Sequence, residues 1–209
     1  MRDSVCRRIS ALLLASGLVG WSVVSPRIPM AWRVPTQAGL AGLLVLLTRA
    51  PLGLRPPPLR AGLRVGLAAG ATAVTAVAAT TSVPLVRLAM ADRKLPRSAP
   101  VWLLVQIPLG TVWPEEAAYR AALATTAMSA FGKTGGQLTQ AVAFGLSHIA
   151  DARATGEPVA PIVFATTIAG WVFSWLAERS GSLAAPMLVH LAINETAAVA
   201  ALSVQRVSG

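Results

Sequence analysis

The chain has 209 residues, of which 55% are hydrophobic and only 12% charged, whereas about 25% are charged in soluble globular proteins. With a mean hydropathy of +0.63, its long continuous apolar runs exclude a soluble fold and the alternating strands of a barrel. They predict an all-α, polytopic transmembrane bundle in the lipid bilayer. The net charge of +10 is spread over several connectors, which predicts contact with anionic head groups and no nucleic-acid binding. No length remains for a soluble domain, so we predict a single integral-membrane domain over residues 1–209.

The N-terminal segment combines three arginines, Arg2, Arg7 and Arg8, with an apolar run over residues 9–24. This combination is typical of a secretory signal or of a first membrane span. The later apolar runs and the lack of a small-x-small cleavage site favour an uncleaved span. The preceding arginines then predict a cytoplasmic N-terminus for a multi-pass protein of the cell (inner) membrane. The single cysteine, Cys6, excludes an internal disulfide and a multi-Cys metal site.

Further apolar stretches follow along the chain. The connector at 49–64 holds four arginines and a triple proline, and we predict that it is cytoplasmic and semi-rigid. Pro84 predicts a kink or an early end in the third stretch. No internal repeat is visible, which argues against a transporter built from inverted repeats. We predict seven spans, with six or eight as alternatives, and those after the first lie at about 36–47, 65–90, 101–130, 137–150, 158–176 and 183–202.

Two carboxylates and an arginine interrupt the apolar stretch at 101–130. Ionisable groups are expensive in hydrocarbon and therefore mark functional sites. Glu116 and Arg120 are four residues apart, so they share a helix face and can pair. Glu115 points about 100° away and is free to face a cavity. Pro114 either kinks the helix or starts one whose dipole would favour the ionised carboxylates. The alternative is a solvated acidic pair at a membrane boundary.

Each of the two histidines shares a helix face with a residue four positions away. His148 lies four residues after Phe144, and it suits a base, a metal ligand or a structural contact to a neighbouring carbonyl. His190 precedes Asn194 by four, and this imidazole and amide can donate to an oxyanion or hold helices together. A carboxylate, a base and oxyanion donors are the parts needed to hydrolyse an amide with activated water.

The sequence lacks the motifs of more familiar hydrolases. The zinc-protease pattern His-Glu-x-x-His is absent, and no nucleophile lies in a Gly-x-Ser-x-Gly motif. Ser147 adjoins His148, but neighbouring side chains on a helix diverge, so we do not expect a Ser/His pair there.

The three motifs occur together and in a fixed order. Glu-Glu-x-x-x-Arg at 115–120, Phe-x-x-x-His at 144–148 and His-x-x-x-Asn at 190–194 resemble those of the CPBP family. These are the CAAX-processing and bacteriocin-processing intramembrane endopeptidases, which include the type II CAAX prenyl proteases. The resemblance implies about eight spans around an intramembrane catalytic cavity, a catalytic core at about 101–203, and a peptide or protein substrate at the membrane.

The resemblance also implies catalytic roles. Glu115 and His148 would hold and activate the attacking water, while His190 and Asn194 would stabilise the oxyanion. As the alternative, Glu115, His148 and His190 would form a three-ligand zinc site with an open water position. We favour the scheme without metal, in which Glu115 is the base. The single zinc ion of the alternative scheme is the one cofactor that the resemblance allows.

Supporting roles are implied for three more residues. Glu116 and Arg120 would brace the first motif, and Phe144 would shape the cavity wall. The leading prediction is therefore an endopeptidase that cleaves a peptide bond near the membrane surface. A second prediction is a non-catalytic membrane protein that binds and regulates a membrane partner, because a fold does not guarantee an activity. A third is an ion or solute carrier with the carboxylates as a relay.

Overall fold

The computed structural model describes residues 2–208, and over this range the chain is helical and has no β-strand. The all-α prediction is therefore confirmed. A helix satisfies its own backbone hydrogen bonds, which is the condition for crossing lipid. We number nine helices in the described range: α1 Arg2–Val24, α2 Met30–Thr48, α3 Pro58–Thr80, α4 Pro84–Asp92, α5 residues 99–123, α6 Ala124–Ser147, α7 Ile149–Thr155, α8 Val159–Ser180 and α9 Ala184–Ser208.

Five of the helices in the described range are long and apolar enough to cross a membrane, namely α1, α2, α3, α8 and α9. The predicted spans at 101–130 and 137–150 correspond to α5 and α6, which are not among the five. The predicted number of seven to eight spans is therefore not confirmed. The chain itself gives the reason, since α5 carries the charged first motif and α6 is interrupted at Gly132, with φ 74° and ψ 175°.

Prolines set helix boundaries that differ from the sequence prediction. Helix α3 begins at Pro58, inside the predicted connector 49–64, because proline fits the first helical turn, where an N–H has no helical partner. Pro84 starts the separate nine-residue helix α4, so the stretch predicted at 65–90 is two helices. Helix α2 also begins earlier than predicted, at Met30.

The connectors alternate between two ends of the bundle. The turns between α2 and α3, within α6, and between α8 and α9 lie at one end, which we call the amino face because α1 begins there. The Leu183 N–H donates to the Leu52 carbonyl oxygen at 2.9 Å, and Lys133 Nζ lies 2.8 Å from a Glu178 carboxylate oxygen. These contacts join three turns that are far apart in the sequence.

The opposite end, which we call the far face, holds the connectors between α1 and α2, between α3 and α5, and between α6 and α8. Near the end of α9, Gln205 Nε2 donates to the carbonyl oxygen of Arg93 at 2.7 Å. This contact ties the connector after α4 to the last helix.

Helices α3 and α9 run parallel and pack through glycines. Gly62, Gly66 and Gly70 lie four residues apart on one face of α3 and are buried. At Gly66, a Cβ would lie 2.9 Å from the Ala185 Cα, closer than a side chain allows. Small residues let helix backbones approach closely in lipid. The contact therefore positions α9, which carries the third motif.

Helix α5 is irregular. It contains three π-helical segments, Trp102–Gln106, Pro108–Val112 and Glu116–Leu123. Pro108 and Pro114 lack the N–H that the regular ladder requires, so the helix accommodates them by changing its hydrogen-bond pattern. π-Helical turns are rare in proteins, and those that occur are often found at functional sites. Here they surround the first motif.

Candidate active site

Glu115 projects from α5 into a cavity. The helix continues through Pro114 without a new start, so the helix start considered for Pro114 is wrong and no terminal dipole acts on the carboxylate. The Glu115 side chain is 30% exposed, and its Oε2 has no hydrogen-bond partner in the described chain. The group can therefore interact with a water or a substrate.

Glu116 and Arg120 form the ion pair that their spacing predicts. Arg120 Nε lies 3.4 Å from Glu116 Oε2, without hydrogen-bond geometry, and neither side chain is exposed. The guanidinium carbon lies 3.7 Å from the centre of the Phe144 ring and 5.0 Å from that of Phe173. Within residues 2–208 the Arg120 side-chain nitrogens have no hydrogen-bond acceptor. The ring faces therefore supply a favourable contact for a buried cation.

His190 connects the first and third motifs. Its Nδ1 donates to Glu116 Oε1 at 2.8 Å, because a carboxylate only accepts. Its Nε2 lies 3.8 Å from Glu115 Oε2, which is too long for a direct hydrogen bond. One turn later, Asn194 Nδ2 donates to the His190 carbonyl oxygen at 3.0 Å, which leaves the second N–H of that amide available. The imidazole thus lies between the two carboxylates of the first motif.

His148 lies at the end of α6 and is half-buried. Its Nδ1 is 2.8 Å from the Phe144 carbonyl oxygen, so Nδ1 donates and Nε2 is the basic atom. The Ser147 hydroxyl donates to the same carbonyl at 2.7 Å and lies 3.4 Å from Nδ1. The two side chains therefore lie closer together than the sequence prediction of diverging neighbours implied. Because Nδ1 already carries a proton, His148 still does not activate this hydroxyl.

A cavity of about 770 Å³ brings the motifs together. Its lining includes all four predicted catalytic residues, which come from three separate helices: Glu115, His148, His190 and Asn194. Arg93 also lines the cavity, and it belongs to a far-face connector, so the cavity opens toward that face. Leucines of α1 and α2 form an apolar part of the wall.

The three predicted supporting residues lie behind this wall. Glu116, Arg120 and Phe144 are buried and do not line the cavity. For Glu116 and Arg120 this is the placement expected of bracing residues. The prediction that Phe144 shapes the cavity wall is wrong, because its ring packs on the Arg120 guanidinium and edge-on to the His148 imidazole at 4.7 Å.

The arrangement offers no formed metal centre in the part of the chain that the structure describes. Over residues 2–208, no three His, Cys, Asp or Glu side chains lie together in a group able to hold a metal ion. Of the proposed zinc ligands, His190 directs Nδ1 to Glu116 and holds Nε2 3.8 Å from Glu115. In this arrangement no third ligand is grouped with Glu115 and His190 among the described residues, and the zinc alternative stays a prediction.

Two aromatic residues outside the predicted set complete the site. The Phe173 ring, from α8, lies 5.2 Å from the His190 ring, and the Tyr119 ring lies 5.2 Å from that of Phe144. Tyr119 is the only tyrosine in the chain and lies inside the first motif, so its sequence position alone could have marked it as a candidate site residue. Phe173 lies in a uniformly apolar stretch, where nothing in the sequence distinguishes it from a lipid-facing residue.

Comparison with known proteins shows that part of the chain is similar to a protein family. Residues 97–196 match the family described as Type II CAAX prenyl endopeptidase Rce1-like. This segment runs from the start of α5 to the third motif on α9. No curated protein and no solved structure matches the chain. The match confirms the resemblance drawn from the three motifs: residues 97–196 are similar to the Rce1-like type II CAAX prenyl endopeptidases, a family of membrane proteases.

Proposed function

We propose that the chain is an intramembrane endopeptidase that hydrolyses a peptide bond with water activated by Glu115 and His148. The observation that carries this proposal is the convergence of the three motifs on one cavity, in which Glu115, His148, His190 and Asn194 all line the wall. The match of residues 97–196 to a protease family supports the same reaction.

Glu115 is the proposed general base. A water beside Glu115 and the basic Nε2 of His148 would attack the carbonyl carbon of the scissile bond, and its proton would pass to the Glu115 carboxylate. The proton then moves to the leaving amine as the C–N bond breaks, which yields a carboxylic acid and an amine. The Glu115 side chain is 30% exposed and lines the cavity, which suits this role because a water in the cavity can reach the carboxylate.

His190 and Asn194 are the proposed oxyanion partners. The free N–H of the Asn194 amide is available to donate to the developing charge. Because Nδ1 of His190 already donates to Glu116, His190 would donate from Nε2 once that nitrogen takes up a proton during the reaction. Preorganised donors in a water-poor site stabilise an oxyanion far better than water does. The buried Glu116 holds the other imidazole nitrogen at 2.8 Å, so the ring would need no reorientation during the reaction.

The substrate is proposed to be a peptide or protein segment that enters from the far face. The cavity volume of about 770 Å³ lies within the range of roughly 300–1,000 Å³ that is usual for ligand sites. Its apolar side, formed by α1 and α2, is suited to hydrophobic side chains or lipid groups on the substrate.

Cleavage of a peptide library by the protein purified in detergent tests this proposal. The library includes prenylated C-terminal peptides, and the variants are Glu115→Gln and His148→Gln. Glu195→Gln is the matched control, because this carboxylate lies on α9 next to Asn194 but does not line the cavity. We expect cleavage by wild type and by Glu195→Gln, and a loss of at least about 100-fold in the other two.

Metal content, measured by mass spectrometry on the same preparations, tests the zinc alternative. Stoichiometric zinc together with loss of activity on chelation would favour a metal-bound water as the nucleophile over the scheme without metal. Full cleavage activity of Glu115→Gln would contradict the role of Glu115 as general base, whereas no cleavage by wild type would favour the non-catalytic binding protein.

A further inference from the structure

We propose that Phe173, on a helix that contributes no motif residue, is a positioning residue for the active site through Arg120 and His190. The inference rests on the proposed function for its kinetic consequence only, because its structural consequence is measurable without a substrate. Phe173 is 4% exposed and does not line the cavity. It therefore acts on the reaction through other residues.

The Phe173 ring contacts a cation that has few other partners. Its centre lies 5.0 Å from the Arg120 guanidinium carbon, and Phe144 lies at 3.7 Å from the same carbon. Both terminal nitrogens of Arg120 have no hydrogen-bond acceptor in the described chain. A buried guanidinium without acceptors depends on aromatic faces for electrostatic stabilisation. The two rings thus hold Arg120 where it pairs with Glu116.

The same ring contacts the imidazole that Glu116 orients. The centres of the Phe173 and His190 rings are 5.2 Å apart, with an angle of 32° between the ring planes. This tilted ring contact restricts rotation of the imidazole about its long axis. Rotation would move Nδ1 away from Glu116 and Nε2 away from Glu115. One ring therefore restrains both ends of the Arg120–Glu116–His190 chain.

An aliphatic side chain would not replace this contact. Leucine at position 173 fills much of the volume but has no ring face for the guanidinium or the imidazole. We therefore expect Phe173→Leu to fold, while Arg120 and His190 become less ordered. Small displacements of catalytic groups cost up to about 100-fold in rate.

Imidazole NMR on protein labelled with ¹⁵N-histidine tests the positioning directly. The chain has only two histidines, so His148→Gln leaves the His190 signals alone in the spectrum. In this background we expect two distinct ring-nitrogen shifts, for a protonated Nδ1 and a different Nε2. Adding Phe173→Leu should move the two shifts toward an average, because a ring no longer held at Glu116 lets the proton exchange between Nδ1 and Nε2. Distinct and unchanged shifts would overturn the proposal.

Kinetics on the otherwise native chain supply the second readout. We expect Phe173→Leu to lower kcat by about 10- to 100-fold with KM changed less than about twofold, because the ring does not touch the cavity. Phe173→Tyr retains the ring and should restore both the rate and the distinct shifts. An unchanged kcat in Phe173→Leu would overturn the proposal.

Two control variants separate positioning from packing. Phe164→Leu makes the same substitution at an exposed position of α8, and Leu176→Ala removes a buried neighbour in the same apolar cluster. Both should retain the wild-type shifts and kcat, and an equal loss in Leu176→Ala would assign the effect to packing alone. If wild type cleaves no peptide, the proposed function fails, while the imidazole shifts still decide the role of Phe173.

Discussion

At the scale of single residues, two adjacent glutamates have different surroundings. Glu115 is 30% exposed and its Oε2 lies 3.8 Å from His190 Nε2, whereas Glu116 is fully buried between Arg120 and His190. In a helix, consecutive side chains point about 100° apart, so one faces the cavity and the other faces the packed interior. The same residue type therefore serves for reactivity in one position and for structure in the next.

This difference predicts opposite phenotypes for the same substitution. Glu115→Gln should abolish cleavage and change the free energy of unfolding by no more than about 0.5 kcal/mol, because it breaks no buried ion pair. Glu116→Gln should lower that free energy by about 3–5 kcal/mol, because Arg120 remains as a buried and uncompensated charge. Unfolding by denaturing detergent, followed by helical circular dichroism, measures both. Equal stability of the two variants would contradict the assignment.

At the scale of helices, the parallel contact between α3 and α9 determines where the third motif lies. The three buried glycines of α3 are not equivalent. A Cβ at Gly66 would meet the Ala185 backbone at 2.9 Å, whereas at Gly70 the nearest atom is 3.6 Å away. The first distance requires the two helices to separate, and the second is ordinary van der Waals contact. Helix α9 therefore depends on one glycine more than on its neighbour one turn later.

Two alanine substitutions test this contact. Gly66→Ala should destabilise the protein by about 1–3 kcal/mol through overpacking, and it should reduce cleavage because α9 carries His190 and Asn194. Gly70→Ala should be neutral or stabilising by up to about 1 kcal/mol, because alanine favours the helix. Thermal unfolding in detergent and the cleavage assay measure both effects. A more severe effect at Gly70 would show that the closest approach lies elsewhere.

At the scale of the whole molecule, the cavity opens on the face opposite to the start of α1. Arginines and lysines occur at both ends of the bundle, with Arg49 and Arg55 at the amino face and Arg93 and Arg97 at the far face. The positive-inside rule assigns orientation from a difference in positive charge between the two faces. Because both faces of this bundle carry such residues, the rule gives only a weak indication of orientation here. If the N-terminus is cytoplasmic, as its first arginines predict, substrates reach the site from the other side of the membrane.

The lone Cys6 is exposed, which makes this sidedness measurable. We expect a membrane-impermeant maleimide to label Cys6 from one side of sealed vesicles. In a Cys6→Ser background, Lys133→Cys should be labelled from that same side and Glu157→Cys from the opposite side. Labelling of all three positions from one side would contradict the alternation of the helices described above.

The sequence by itself determined the helical membrane class and the residues of the three motifs, because both are local properties. A long apolar run indicates that a helix is surrounded by lipid and not by water. A four-residue spacing places Glu116 beside Arg120 wherever the helix lies. The bond between Glu116 and His190 joins residues 74 positions apart, and Phe173 reaches both from another helix. Such contacts depend on how the helices pack, which is set by features such as the close approach at Gly66 and the irregular turns of α5. No spacing of residues in a single sequence reveals contacts between separate helices. For the same reason, only the tertiary structure placed Phe144 behind the cavity wall and opened the cavity to the far face.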